Sequence, residues 1–422
     1  MKLQTALIVL ILIFDTLIIS SAEAMSVRFE DLSRLVNEKN ENVKASALTV
    51  KAQSARTGFL ARSFLPHLSA VAGQEEFKAG SSLSDQQAYW RFEGSLNLYR
   101  GGRDKLEDQI RFGQRDLAVL NHSSEIQQEL REAKRAFWKI LASEKLIQER
   151  KDALEKNEAN IKTARRRAGA GITTAADAAQ FELNKVTLEA DLKKLSLEHH
   201  RVLNLLSVAL GLDEHESIEI NGDFPSVESN TSVKGLEPAK QFEVRGYQEL
   251  QRVDELRAAR LSRWYLPKLD LYASYGLPSL TDEYARALSR EQELTAGIRM
   301  TLDLGQSIED RKEGSARAAE ANAAQFRGAH KLREVLANDH DLRHDLRVAS
   351  ELIEASEAAV KQAEKFLRLT EAEYSRGAKN GPDLLEATRT YFDFRERRID
   401  YLRDYFDTTA QLESLTAGAE PL

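Results

Sequence analysis

An internal duplication constrains this 422-residue chain more than any other feature. Phe64-Leu65-Pro66-His67-Leu68-Ser69-Ala70 returns 201 positions later as Tyr265-Leu266-Pro267-Lys268-Leu269-Asp270-Leu271. Leu96-Asn97-Leu98-Tyr99-Arg100-Gly101-Gly102 returns 204 positions later as Met300-Thr301-Leu302-Asp303-Leu304-Gly305-Gln306. Gly171, with Asp177 six residues on, returns 206 positions later as Gly377 and Asp383. Three matches in one order, with a slowly growing offset, indicate a duplicated unit of about 200 residues. The expected organisation is a first repeat over 25–220, a link over 221–241 rich in Pro, Ser, Asn and Gly, a second repeat over 242–418 and a tail over 419–422.

Each repeat has the same layout. A helix-period region comes first, over Phe29 to Leu60 and Phe242 to Arg263, and two strand-like runs around a polar loop follow. In Trp90, Phe92, Gly94, Leu96 and Leu98 the apolar or small residues alternate with Arg91, Glu93, Ser95 and Asn97. The second repeat sets Leu269, Leu271, Ala273, Tyr275 and Leu277, then Ile298, Met300, Leu302 and Leu304, against polar neighbours. Period two with one apolar face is the signature of an amphipathic strand. After Gly102 and Gly305 the period becomes helical for about 65 residues, or about 100 Å of helix. Leu346, Ile353, Val360, Leu367 and Tyr374 form one seven-residue seam; Leu342, Ala349, Ser356 and Ala363 form a smaller one, and Leu385, Phe392, Ile399 and Phe406 a third. Such seams read as the core of long packed helices.

The turns after the long helices carry the most specific local signal. Gly171 and Gly377 suit the left-handed position beyond a helix end, where a Cβ is penalised. The next helices begin at Thr174-x-x-Asp177 and Asn380-x-x-Asp383, each a capping side chain followed by an acid three positions on. Both turns are therefore expected to be helical hairpins. Glu386 lies one turn beyond Asp383 on the same face, and capping does not explain it. Arg165-Arg166-Arg167 precedes the first turn, where cations complement the dipole of their own helix.

Other residues narrow the function class. There is no cysteine, so disulfides, thiolate metal sites, cysteine nucleophiles and a lipidated cysteine are absent. The net charge of −7 disfavours a nucleic-acid partner. His340 and His344 could share a helix face, but no third metal ligand is fixed nearby, and the adjacent His199 and His200 point different ways on a helix. No catalytic motif, phosphate loop or cofactor site stands out, so no enzyme is expected. Lys2 followed by an apolar run from Ala6 to Ile19 and by Ala22-Glu23-Ala24 reads as a signal peptide over 1–24. Four short strands cannot close a barrel, and open edges are not tolerated in lipid. If their apolar faces meet a bilayer, several chains must combine: two copies would give eight strands, three would give twelve.

The export signal, the duplication, Leu98-Tyr99-Arg100-Gly101-Gly102, and the hairpin from Gly377 to Asp383 running into Leu384-Leu385-Glu386-Ala387-Thr388 together resemble the outer membrane efflux protein (TolC) family. That resemblance implies a mainly α fold with a membrane β-barrel. A homotrimer would form a 12-stranded β-barrel in outer-membrane lipid, continued by a 12-helix α-barrel in the periplasm. It further implies the exit duct of a tripartite efflux pump or type I secretion system, with a periplasmic adaptor and an inner-membrane transporter as partners. Family constriction positions match Asp383 and Glu386, and a tip latch matches Tyr374, Lys379 and Asp177. Lysine stands at 379 where arginine is expected, which loses a bidentate fork. The hairpin turns at Gly171, Thr174, Gly377 and Asn380 fall where the adaptor would dock. The chain ends Gly418-Ala419-Glu420-Pro421-Leu422, without the terminal aromatic common in such barrels. The alternative is a periplasmic coiled-coil scaffold whose strands make a soluble sheet.

Overall fold

The computed structural model describes residues 25–79, 83–172, 174–212, 218–227, 235–277, 292–302 and 306–417. The export segment, residues 303–305 of the second strand motif, and the tail lie outside them. In chain order the elements are β1 (Met25–Val27), α1 (Asp31–Lys39), α2 (Glu41–Arg56), α3 (Phe59–Ser63), β2 (His67–Ala79), β3 (Leu83–Tyr99), α4 (Arg103–Gly169) and α5 (Ala175–Leu210). They continue with β4 (Ile218–Ile220), a 3₁₀ turn at Pro238–Lys240, α6 (Phe242–Leu261), β5 (Lys268–Leu277), β6 (Glu293–Thr301), α7 (Gln306–Arg376) and α8 (Gly381–Thr416). Helix–strand–strand–long helix–helix thus occurs twice. The 67 residues of α4 and 71 of α7 correspond to roughly 100 Å of helix each.

The first helical region divides into three helices for local reasons. Asn40 ends α1 in an extended conformation, and its side-chain oxygen accepts from the Val43 N–H at 3.0 Å. Its amide donates to the Ala209 carbonyl at 2.9 Å. Gly58, at φ 70°, then separates α2 from α3.

Two compact units result, and each draws on both repeats. One comprises Ser46–His122 and Phe242–Arg333 and contains the sheet. Its strands run in the order β2-β3-β5-β6, every neighbour antiparallel, so the two repeats join between β3 and β5. The register aligns Ala70, Phe92, Tyr275 and Leu294 across all four strands, and Leu96, Leu271 and Ile298 across three. Since side chains alternate faces, these residues build one continuous apolar face. Leu68, Leu294, Ile298 and Met300 on it are about 70% exposed or more. The opposite face carries Arg91, Glu93, Asp270 and Arg299, with Arg299 lying over the Tyr272 ring. Gly101 and Gly102, both at positive φ, turn β3 into α4. A Cβ on Gly101 would meet Leu266 at 2.7 Å, and the Gly101 carbonyl accepts from Arg263 at 3.1 Å.

The other unit comprises the chain up to Ala45, Ser123–Gln241 and the chain from Glu334 onward. Its core is built on Leu32, Leu35, Phe137, Ile140, Leu206 and Leu210, all nearly inaccessible. Trp138 stacks on Phe406 and on Phe224, the latter from the segment that links the repeats. That segment is held further by a Lys145–Asp223 ion pair at 2.8 Å, and β4 pairs in parallel with β1. The seven-residue seams face inward: Ile353, Ser356, Ala363, Leu367, Tyr374, Leu385, Phe392, Ile399 and Phe406 are all buried. Among the described residues no helix is long and apolar enough to cross a membrane.

Candidate functional site

The hairpins between α4 and α5 and between α7 and α8 contain the residues singled out by sequence, and they lie in one compact unit. Both long helices end alike. Gly171, at φ 72°, donates to the Ala168 carbonyl while Ile172 donates to Arg167. Gly377, at φ 84°, donates to the Tyr374 carbonyl while Ala378 donates to Glu373. This paired closure satisfies two carbonyls that a helix end leaves free.

The helices that follow begin differently. Asn380 makes a full capping box: its side chain accepts from the Asp383 N–H at 3.0 Å, and the Asp383 carboxylate accepts from the Asn380 N–H at 3.3 Å. Thr174 occupies the same position without a side-chain cap bond. The acid of that hairpin, Asp177, instead reaches across to accept from the Gly381 N–H at 3.3 Å, at the start of α8. Position 381 has room only for glycine, since a Cβ would stand 2.8 Å from the Asp177 Cγ.

Arg167 makes the complementary contact. Its guanidinium donates to the Tyr374 carbonyl and lies 4.4 Å from the centre of the Tyr374 ring. The first repeat therefore supplies a cation to the C-terminal end of α7 and an anion to the N-terminal end of α8, the favourable sign at each. Tyr374 is 2% exposed, packed with Ile161, Ala164, Phe181, Leu367 and Leu384. Its hydroxyl has no hydrogen-bond partner among the described residues. Burial raises its pKa above the usual phenol value, Arg167 opposes the shift and Asp177 adds to it.

Of the remaining sequence candidates, Asp383 is half-buried and engaged in its own cap, while Glu386 is exposed. Lys379 is exposed and makes no hydrogen bond or ion pair among the described residues. Gly171, Thr174, Gly377 and Asn380 are all exposed at the turns. Arg165 pairs with Glu182 at 2.5 Å. His199 bonds Ser143 at 2.8 Å, His340 is exposed beside Asp341, and no group of three or more His, Cys, Asp or Glu among the described residues could hold a metal.

Sequence reasoning did not find the polar contacts that join α4, α5 and α8. Fully buried Asn157 donates to the Phe181 carbonyl at 2.8 Å and accepts from Asn184, whose side-chain oxygen accepts from Arg389 at 2.7 Å. Farther along, Arg150 pairs with Glu396 and Arg395 with Glu149, both at 2.7 Å. Burial pushes the Glu396 carboxyl up to about 7, with Arg150 opposing and Asp393, Glu149 and Asp400 reinforcing. Nothing at the single positions foretells these contacts, because the partners are distant in the chain, by 205 residues for Arg389 and Asn184 and by 246 for Arg150 and Glu396.

The fold is that of outer-membrane channels. The Campylobacter jejuni CmeC outer membrane channel superposes with a TM-score of 0.81 over 92% of this chain and 85% of its own, at 11% identity. Vibrio cholerae VceC gives 0.77 over 93% and 97%, at 14% identity, and the open-state Neisseria gonorrhoeae MtrE channel gives 0.71 over 93% and 89%, at 14% identity. Residues 248–418, within the second repeat, match the outer membrane efflux protein family model. No curated protein sequence matches the chain.

Proposed function

We propose that three copies of this chain form an outer-membrane channel that passively conducts substrates out of the cell. It would act as the exit duct of a tripartite efflux pump or type I secretion system. One observation carries this reading: the four-stranded sheet presents an unbroken apolar face, while the outer edges of β2 and β6 are unpaired among the described residues. In lipid each unpaired edge group costs several kcal/mol, so the edges of neighbouring copies must join, and three copies give twelve strands. A soluble scaffold has no use for Leu294, Ile298 and Met300 aligned on open surface. Exposed apolar residues of α5 (Leu183, Val186, Leu205, Val208) and α7 (Phe326, Phe366, Leu369) would pack between copies in the periplasm.

In this reading residues 1–24 direct export and 221–241 straps the helices. Asp383 and Glu386, three of each, ring the periplasmic tip and favour cations. Tyr374, Lys379 and Asp177 help hold that tip closed, and an adaptor docks at the turns around Gly171, Thr174, Gly377 and Asn380. The mass of the protein extracted in mild detergent tests the assembly. Three chains per particle, associating only with lipid or detergent present, are expected; a detergent-independent monomer or dimer would overturn the trimeric barrel.

A further inference from the structure

We propose that Gly73 and Gly297 set the bore of the barrel, by seating the rings of Tyr89 and Tyr272 flat against its inner wall. The proposal rests on the channel reading above, in which the apolar face of the sheet meets lipid and the opposite face lines the duct. Tyr89 shares that opposite face with Arg91 and Glu93, and Tyr272 shares it with Asp270, because side chains alternate along a strand. In each hairpin the register sets one tyrosine directly across from one glycine: Tyr89 of β3 faces Gly73 of β2, and Tyr272 of β5 faces Gly297 of β6. Each time the glycine belongs to an outer strand of the sheet and the ring lies over it. A Cβ on Gly73 would stand 2.6 Å from Cε1 and Cζ of Tyr89, and one on Gly297 would stand 3.2 Å from Cε1 of Tyr272. Neither glycine has a positive φ, so the ring and not the backbone keeps these positions free of a side chain. A glycine inside a strand often marks such a close approach.

The rest of that face is low or held down. Ser69, Ser95, Ser274 and Thr295 are small, Arg91 pairs along its own strand with Glu93 at 3.3 Å, and Arg299 lies over the Tyr272 ring at 4.5 Å. Tyr272 stands beside Ser95, and Tyr89 is six residues from Ser95 on β3, so the two rings lie roughly 20 Å apart along the wall. Three copies would carry two tiers of three rings. A tyrosine turned to another staggered rotamer projects its ring away from the sheet, and three rings of one tier turned inward narrow the duct. Glycine at 73 and 297 lets both tiers lie down.

Conductance of single channels, recorded in the Asp383→Ala/Glu386→Ala chain so that the tip is not the narrowest point, tests the assignment. Adding Gly73→Ala is expected to cost roughly a quarter of the conductance, the share of the bore that three displaced rings would fill. Adding Tyr89→Ala as well is expected to restore it, because no ring is left to displace. A second measurement does not depend on the tip. The chain has no cysteine, so Ser274→Cys places a single thiol on the wall between the two tiers. A polyethylene glycol maleimide added outside the vesicles has to pass the Tyr89 tier to reach it. Gly73→Ala should slow that labelling, and Gly73→Ala/Tyr89→Ala should return it to the original rate. If Gly73→Ala does not assemble, Gly297→Ala with and without Tyr272→Ala carries the conductance test, since its Cβ needs the smaller shift. Full conductance together with unchanged labelling in Gly73→Ala, or losses that Tyr89→Ala does not relieve, would overturn the proposal and leave the channel reading standing. No current and no labelling of Ser274→Cys in any chain would remove the channel reading itself, and the bore assignment with it.

Discussion

The two helical hairpins begin from nearly the same sequence, a glycine followed by a capping residue and an acid, and they reach different states. The second is self-sufficient: Asn380 and Asp383 cap each other's backbone groups at the start of α8. The first leaves Thr174 without a cap bond and directs Asp177 to the N–H of Gly381, 204 residues away. Arg167 repeats the pattern with opposite charge, at the Tyr374 carbonyl. Duplication supplied two copies of one local motif, and divergence made the first a donor of charge and the second its receiver. Farther along the unit the traffic runs both ways: α4 provides Arg135 to Asp407 and Arg150 to Glu396 of α8, and α8 returns Arg395 to Glu149.

The largest effect expected from this asymmetry depends on pH. Glu396 titrates near 7 in the folded chain against 4.5 for the free side chain. A raised carboxyl pKa means the folded state binds the extra proton. Its contribution to stability is therefore fully present below about 4.5 and is lost as pH rises through about 7. The span is at most roughly 3 kcal/mol. Thermal unfolding followed by circular dichroism between pH 5 and 8 should show melting temperature falling with pH, and Glu396→Gln should flatten that slope. An unchanged slope in the variant would place the dependence elsewhere.

A somewhat smaller loss is expected at the crossing point of the hairpins. Gly381→Ala should destabilise by about 2 kcal/mol, because the new Cβ overlaps Asp177. Asp177→Ala in the same chain should relieve part of that loss. Additive melting shifts for the two substitutions would break the contact between repeats.

Capping sharpens the comparison at about 1 kcal/mol. Asn380→Ala removes the side-chain acceptor of a working box, leaving the bond from its own backbone N–H to Asp383, and should cost about that much. Thr174→Ala, at the matching position, should cost no more than a few tenths of a kcal/mol, since no side-chain bond is lost there. Equal costs in urea melts would mean that the first hairpin is capped after all. Tyr374→Phe, which removes a buried, unpartnered hydroxyl, should have no destabilising effect at all: neutral, or stabilising by up to about 1 kcal/mol.

Much of the fold was legible because its signals are local and periodic. Alternation in Trp90 to Leu98 and Leu269 to Leu277 identified the strands, and the register then aligned their apolar sides on one face. Seven-residue spacing from Leu346 to Tyr374 marked the inward seam of α7, and Gly171 and Gly377 marked the turns. The candidate site was legible only in part. Thr174-x-x-Asp177 satisfies the capping pattern as well as Asn380-x-x-Asp383 does, but a pattern within four residues carries no information about Gly381 as a competing partner. Arg165-Arg166-Arg167 reads as three equivalent cations at a helix end, and packing alone singles out Arg167 by setting it on Tyr374. Lys379 has the charge and proximity in sequence that a latch requires, yet its side chain lies in solvent. The break at Asn40 was likewise hidden, because its amide serves the distant Ala209 carbonyl.

The central claim, that these strands and helices make a conducting duct with an acidic tip, is tested most directly by single-channel conductance of the purified wild-type protein beside Asp383→Ala/Glu386→Ala. Wild type is expected to pass small cation-selective currents, and the double variant larger or less selective ones. Well-folded protein that inserts into no bilayer and passes no current would contradict it and favour a periplasmic scaffold.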